Sequence, residues 1–315
     1  MYQRVCYLLL LILTFTLLLG CTKKLADVYP QANTVDESIT MNIPEQLTFG
    51  IIFPMGDPAY EQITEHAELV AKEHHVRLLV AAPDEANLEQ QIRIMESMIR
   101  QKVDGIAISP VDAEALSPLI NQAIENNIPV ICFESDSPHN NRLSFIGADN
   151  YATGQTLGES VNQLLNGNGM IIVGTGMSDM LSLDERLEGL LDYLNNETKI
   201  EVLKVKYNEG KIDNAIEMLE SMINDHPHFS AFLSLDSVSS SASILIWKAT
   251  GSKRYVLSIG KTLESEAALI NGQIHTVISQ NEHQWGEAIV KTLLKAHQQE
   301  PIPSFIDMGI EVITK

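Results

Sequence analysis

The chain has 315 residues, 45% of them hydrophobic and 20% charged, enough material for two average domains, each with a core of its own. A formal net charge of −20 excludes a nucleic-acid partner, because binding a phosphate backbone needs a basic face. Three cysteines in the whole chain leave no disulfide framework to build on.

Met1 to Arg4 carries one positive side chain and no acid, and Tyr7 to Leu19 is then an uncharged, largely apolar run. As a helix that run spans about 20 Å, short of the ~30 Å hydrocarbon core, and it suits the apolar region of a secretory signal. Leu18-Leu19-Gly20-Cys21 resembles the bacterial lipobox, in which a peptidase cuts just before a cysteine that becomes linked to diacylglycerol. The resemblance implies a lipoprotein signal peptide over residues 1–20 and lipidation of Cys21; an ordinary signal peptide or an uncleaved anchor is the rival reading. Acyl chains on Cys21 would hold the protein to the cell membrane on its extracytoplasmic side. Residues 21–46 are polar, lack periodicity and contain Pro30 and Pro44, so they read as a tether.

From Leu47 onward, short apolar runs alternate with longer helical patterns. The expected strands are Thr48–Phe53, Arg77–Ala82, Gly105–Ser109, Val130–Phe133, Ser144–Ile146, Met170–Val173, Glu201–Tyr207, Ala231–Leu235, Tyr255–Ile259 and Thr276–Ser279. Several are apolar throughout, as strands of a parallel sheet buried on both faces must be. Cys132 lies inside one of them and reads as a buried thiol. Between the strands, Asn87–Lys102 places Leu88, Ile92, Met95 and Ile99 on one helical stripe. Ala113–Asn126 and Thr153–Leu165 follow the same spacing and end on Asn or Asn-Gly stop signals. The alternation predicts an α/β fold with parallel sheets and helices on both faces, and the number of units favours two sheets of five or six strands each.

Motifs for covalent, nucleotide or metal chemistry are missing. Gly174-Thr-Gly176 lacks the third glycine of a dinucleotide loop, no Gly-x-Ser-x-Gly nucleophile turn occurs, and His74-His75 and His226-Pro-His228 lack metal-ligand spacing. The expectation is a protein without cofactor, metal or catalytic residues.

Four stretches carry a wider likeness: Asp104-Gly-Ile-Ala-Ile-Ser-Pro110, Asn127-Ile-Pro-Val-Ile-Cys-Phe-Glu-Ser-Asp-Ser-Pro138, Phe145-Ile-Gly-Ala-Asp-Asn-Tyr-Ala-Thr-Gly154 and Glu185-Arg-Leu-Glu-Gly189. In this order and spacing the chain resembles the type I, ribose-binding-protein-like periplasmic binding proteins. The likeness implies two Rossmann-like lobes joined by three crossing strands, with the ligand between them. It divides the chain into a first lobe of 47–149 plus 281–302 and a second of 150–280 plus 303–315, with crossings near Gly147–Asn150, Ser279–Glu282 and Glu300–Pro303. It also implies the partners: a small polar, sugar-like ligand, and either the membrane permease of an ABC importer or the ectodomain of a sensor kinase.

Open parallel sheets bind at the carboxyl ends of their strands, and the candidate site residues lie there. Asp57 and Tyr60 follow the first strand; Asp57 is either a ligand contact or the cap of a helix opening at Pro58. Glu134 and Asp136 form an acidic turn after the fourth strand, set to accept hydroxyl hydrogen bonds unless it is merely solvated. Arg186 matches the arginine that enters the cleft from a helix, where a guanidinium fork suits paired ligand oxygens; a surface ion pair is the alternative. Gln280 matches a ligand-bonding glutamine at a crossing. Where relatives carry Asn-Asp, this chain has Leu235-Asp236, and where they carry a later Asp it has Gly260-Lys261. The expected ligand is therefore smaller or less hydroxylated than a full sugar, or weakly held.

Overall fold

The computed structural model describes residues 46–315. The signal segment 1–20, Cys21 and the tether up to residue 45 lie outside the described residues. Among the described residues twelve strands are formed: β1 Thr48–Ile52, β2 Arg77–Ala81, β3 Gly105–Ile108, β4 Val130–Phe133, β5 Ser144–Gly147, β6 Asn168–Thr175, β7 Lys199–Tyr207, β8 Ala231–Ser234, β9 Tyr255–Ile259, β10 Thr276–Ser279, β11 Phe305–Asp307 and β12 Glu311–Thr314. Between them run the helices α1 Glu61–Glu73, α2 Leu88–Gln101, α3 Ala113–Glu125, α4 Asn150–Leu165, α5 Leu181–Glu197, α6 Ile212–Asp225, α7 Ser237–Thr250, α8 Leu263–Asn271 and α9 Trp285–His297.

The strands sort into two six-stranded sheets, β11-β5-β4-β3-β1-β2 and β12-β10-β9-β8-β6-β7. All neighbouring pairs are parallel except β10 and β12. Each sheet buries both faces, and the two-residue period of a strand decides which side chain goes where. In the first lobe Phe49, Ile51, Ala107 and Phe133 face α1 and α9, packing on Ile63, Trp285 and Ile289. On the opposite face Ile52, Ile106, Ile108 and Cys132 meet Met95 and Met98 of α2 and Leu116 and Ile120 of α3. The second lobe repeats the scheme. Phe232, Val256 and Val277 pack under α6, α7 and α8, while Val173, Leu233, Leu257 and Ile278 pack under α4 and α5.

The chain passes from the first sheet to the second after β5, returns after β10, and crosses again near its end. The last crossing is not where the sequence pointed. Residues 303–307 do not join the second lobe, because β11 pairs parallel with β5, Phe305 beside Phe145. Two rings stacked at 5.5 Å fix that register, and the Phe145 amide donates to the Ser304 carbonyl. The chain then turns through Gly309, at φ +75°, and β12 runs antiparallel along β10. Neither β11 nor β12 was expected. Each has three or four residues, none fully buried, so neither shows an apolar run.

Two glycines set how the second lobe presents its side chains. α4 and α5 cross so closely that a Cβ on Gly154 would lie 2.0 Å from the Arg186 carbonyl oxygen, and one on Gly189 would lie 2.0 Å from the Tyr151 carbonyl oxygen. No side chain fits at either position. That contact brings Arg186 of α5 against Asn150 at the start of α4.

Candidate functional site

A cavity of about 60 Å³ opens between the two sheets, several times the ~10–15 Å³ that one water needs. Glu134 after β4, Asp236 after β8 and Gln280 after β10 line it, together with Tyr60, Arg186 and Trp285. The strand-end residues among them sit at carboxyl ends, where helix N-termini and loop backbones converge.

Arg186 is the centre of the site and is 5% exposed. Its Nε donates to Asn150 Oδ1 at 2.9 Å, Nη1 to the Leu235 carbonyl at 3.0 Å and Nη2 to Gln280 Oε1 at 2.9 Å. A guanidinium has five N–H groups, so two remain for other partners. Burial lowers the Arg186 pKa, and the carboxylates of Glu134 and Glu282 oppose that shift. Gln280 is 1% exposed, and its amide is occupied by the protein. Besides accepting from Arg186, it donates to Asn150 Oδ1 and to Thr153 Oγ1, both at 2.9 Å. Its role here is to hold the arginine, with Trp285 Nε1 donating to its own carbonyl at 3.1 Å.

Glu134 occupies a left-handed backbone position, φ +61°, which is uncommon for a non-glycine residue. Its Oε2 accepts from Ser109 Oγ at 2.9 Å, and both of its oxygens lie within 3.2 Å of the Tyr60 hydroxyl. Burial raises the Glu134 pKa, opposed by Arg186 and by the bonds from Ser109 and Tyr60. The Tyr60 hydroxyl is raised too, by burial first and then by the Glu134 carboxylate; its ring stacks on Phe53 at 4.6 Å.

Asp236 caps α7. Its Oδ1 accepts from the Ser239 amide at 2.9 Å and from Asn208 Nδ2 at 3.0 Å. Its Oδ2 is buried with no hydrogen-bond partner among the described residues. Burial raises its pKa, and the Ser239 and Asn208 bonds only partly offset that.

Two expected contacts stand elsewhere. Asp57 is the cap, accepting from the Ala59 amide at 2.8 Å. Its second oxygen accepts from Ser237 Oγ of the other lobe at 2.8 Å, so it closes the rim of the cleft rather than lining the central cavity. Asp136 does not reach the cavity at all. It forms a two-pronged ion pair with Arg142, Nε to Oδ1 and Nη2 to Oδ2, both at 2.5 Å. Lys261 lines the cavity with its ammonium 3.2 Å from Glu266.

Sequence reasoning missed Asn150, which accepts from Arg186, and Thr153, which accepts from Gln280, although both lie within the Asp149-to-Gly154 stretch and share one helical face at i, i+3. It also missed the apolar wall. Met55 from the first lobe and Met177, Met180 and Leu183 from the second line the cavity. The last three also meet Val111, with Ala86 and Leu88, across the cleft. A salt bridge from Lys211 to Glu85 at 2.8 Å and a bond from the Ser182 amide to Ser135 Oγ at 3.2 Å also join the lobes. The lobes are therefore shut on each other.

Two α/β lobes closed over a small charged cavity define a hinged binding protein. The sequence pattern of the periplasmic binding protein domain matches residues 49–301, and the chain belongs to that family, in its type I branch. It is 23% identical over 258 residues to the D-ribose/D-allose-binding protein of Pseudomonas aeruginosa, covering 79% of this chain and 78% of that one. It is 20% identical over 295 residues to the ribose import binding protein RbsB of Escherichia coli K12, covering 93% and 99%. Among solved structures, an ABC transporter solute binding protein from Burkholderia graminis C4D1M in complex with D-arabinose superposes with a TM-score of 0.81 at 25% identity. The match covers 85% of this chain and 95% of that one.

Proposed function

We propose that the protein captures a small sugar or sugar-like polyol outside the cytoplasm, as the lipid-anchored binding subunit of an ABC importer. The observation that carries this reading is Arg186. It is a buried guanidinium fixed by neutral acceptors from α4, from the end of β8 and from the turn after β10, with two N–H groups left for a ligand oxygen pair. The names of the relatives support a sugar. A ligand that bonds both Glu134 of the first lobe and Arg186 or Asp236 of the second favours the closed form by its differential affinity for it. The anchor rests on the apolar run and Cys21 of the sequence.

The test is a panel of pentoses, hexoses and polyols, read by thermal shift and by small-angle scattering. At least one member is expected to raise the melting temperature and shrink the radius of gyration. No shift and no compaction across the panel ends this reading. Affinity capture from detergent-solubilised membranes then tells import from sensing: a permease is expected, and a histidine kinase ectodomain in its place assigns the protein to signalling.

A further inference from the structure

The cavity has few polar atoms to offer and a broad apolar side. The Gln280 amide is filled by Arg186, Asn150 and Thr153, Asp57 by Ala59 and Ser237, and the Lys261 ammonium faces Glu266. Glu134 already accepts from Ser109 and Tyr60. What stays open is the unpartnered Oδ2 of Asp236, two N–H groups of Arg186, the N–H groups that Lys261 does not direct at Glu266 and the residual lone pairs of Glu134. Facing them are Met55, Met177, Met180, Leu183 and Ile259, thioether and aliphatic side chains that neither donate nor accept usefully. A hexose or pentose carries a hydroxyl on nearly every carbon, and each is both donor and acceptor. Shut into this cavity, some of those hydroxyls would meet methionine or leucine and stay unpaired, at the full cost of their lost hydration.

We infer that the site selects a hydroxyl-poor ligand: a deoxy sugar or methyl-ended polyol whose adjacent hydroxyls meet Asp236 and Arg186 and whose CH₃ or CH₂ side lies on Met177, Met180 and Leu183. The inference rests on the sugar-binding reading above and narrows it. The asymmetry is built in two ways. The three apolar residues come from the loop after β6 and the first turn of α5, and Arg186 lies three residues beyond Leu183 on the same helix. The helix and the loop leading into it thus present the carbon-binding and the oxygen-binding parts of the site side by side. The same three residues are pressed against Val111 of the first lobe, so they are fixed in place when the cleft is shut.

Matched pairs test this directly: L-fucose against L-galactose, L-rhamnose against L-mannose and 5-deoxy-D-ribose against D-ribose, titrated calorimetrically into the full chain. In the pair that fits the cavity, the deoxy member is expected to bind about tenfold more tightly, equivalent to about 1.4 kcal/mol. Replacing the wall by amides of similar size, Met177→Gln with Met180→Gln, should bring the two members within threefold or reverse their order; melting curves without ligand confirm that this variant folds. If the fully hydroxylated member binds as well or better in every pair that binds, the inference falls and the sugar-binding reading stands. If no member of any pair binds, the inference falls, and the wider panel of pentoses, hexoses and polyols alone decides the sugar-binding reading. The wild-type pairs decide the matter even if the double variant does not fold.

Discussion

Glu134 and Asp136 stand two residues apart in one turn, each beside an arginine, and the two arrangements do opposite things. Asp136 meets Arg142 in a two-pronged pair closed within six residues of chain, and Arg142 also donates to the Ser304 carbonyl at 3.0 Å. That pair cancels its own charge and fastens the turn to the start of β11. Arg186 is instead held by an amide oxygen, a carbonyl and a second amide oxygen, gathered from distant parts of the chain. Neutral acceptors fix its geometry without neutralising it. A charge held by carboxylates is structural, and a charge held by dipoles stays available to a ligand.

The largest effect should come from breaking the second arrangement. Arg186→Met leaves Gln280 Oε1 and the Leu235 carbonyl buried without the arginine donor, takes one of two donors from Asn150 Oδ1, and leaves Glu134 without its nearby cation. Urea denaturation should show a loss of about 3–5 kcal/mol, and binding of any panel ligand should fall at least a hundredfold. Arg186→Lys should recover little of either, since one ammonium cannot span three acceptors placed for a planar fork. A variant as stable as the parent would mean that the bonds around Arg186 contribute nothing net.

Breaking the first arrangement should be milder and confined to stability. Asp136→Asn keeps one acceptor oxygen for Arg142 but loses the second prong and the charge, and the pair is mostly shielded, at 14% and 16% side-chain exposure. A loss of about 2 kcal/mol is expected, the worth of charge-assisted bonds, with ligand affinity unchanged within twofold. Affinity falling tenfold at constant stability would move Asp136 back into the site.

That contrast also marks how far the sequence could be read. The apolar runs named ten of the twelve strands, because a strand buried on both faces has to be apolar throughout, and β3 and β4 show it. β11 and β12 were invisible for the opposite reason: Glu311 and Val312 are exposed, and edge pairing leaves no hydrophobic signature. Within the site, the family resemblance pointed to Glu134, Arg186, Asp236 and Gln280, and the structure places all four around one cavity. Position could not show that Asp136 is consumed by Arg142, because nothing in Glu-Ser-Asp says which carboxylate turns inward. The structure shows Glu134 turned inward, onto Tyr60 and Ser109. Nor could spacing reveal Met177 and Met180 as a wall, since methionines in a loop before a helix carry no periodicity.

The finest distinction between the two carboxylates is electrostatic. Burial raises the Glu134 pKa above 4.5, its ordinary value, so the folded protein takes up this proton at higher pH than the unfolded chain does. Its contribution to stability therefore grows as pH falls from neutrality through the raised value, and levels off below the ordinary one. Asp236 acts in the same sense, from 3.8 upward. Glu134→Gln keeps an oxygen that accepts from Ser109 and Tyr60 but removes the titration. As the pH falls from neutrality, the ligand-free parent should gain stability relative to the variant, read from paired denaturation curves at pH 7 and pH 5. A parent-minus-variant difference that stays flat, or changes sign, would show that Arg186 already balances the Glu134 charge in full. In that case Glu134, like Asp136, would belong to the structure rather than to the ligand.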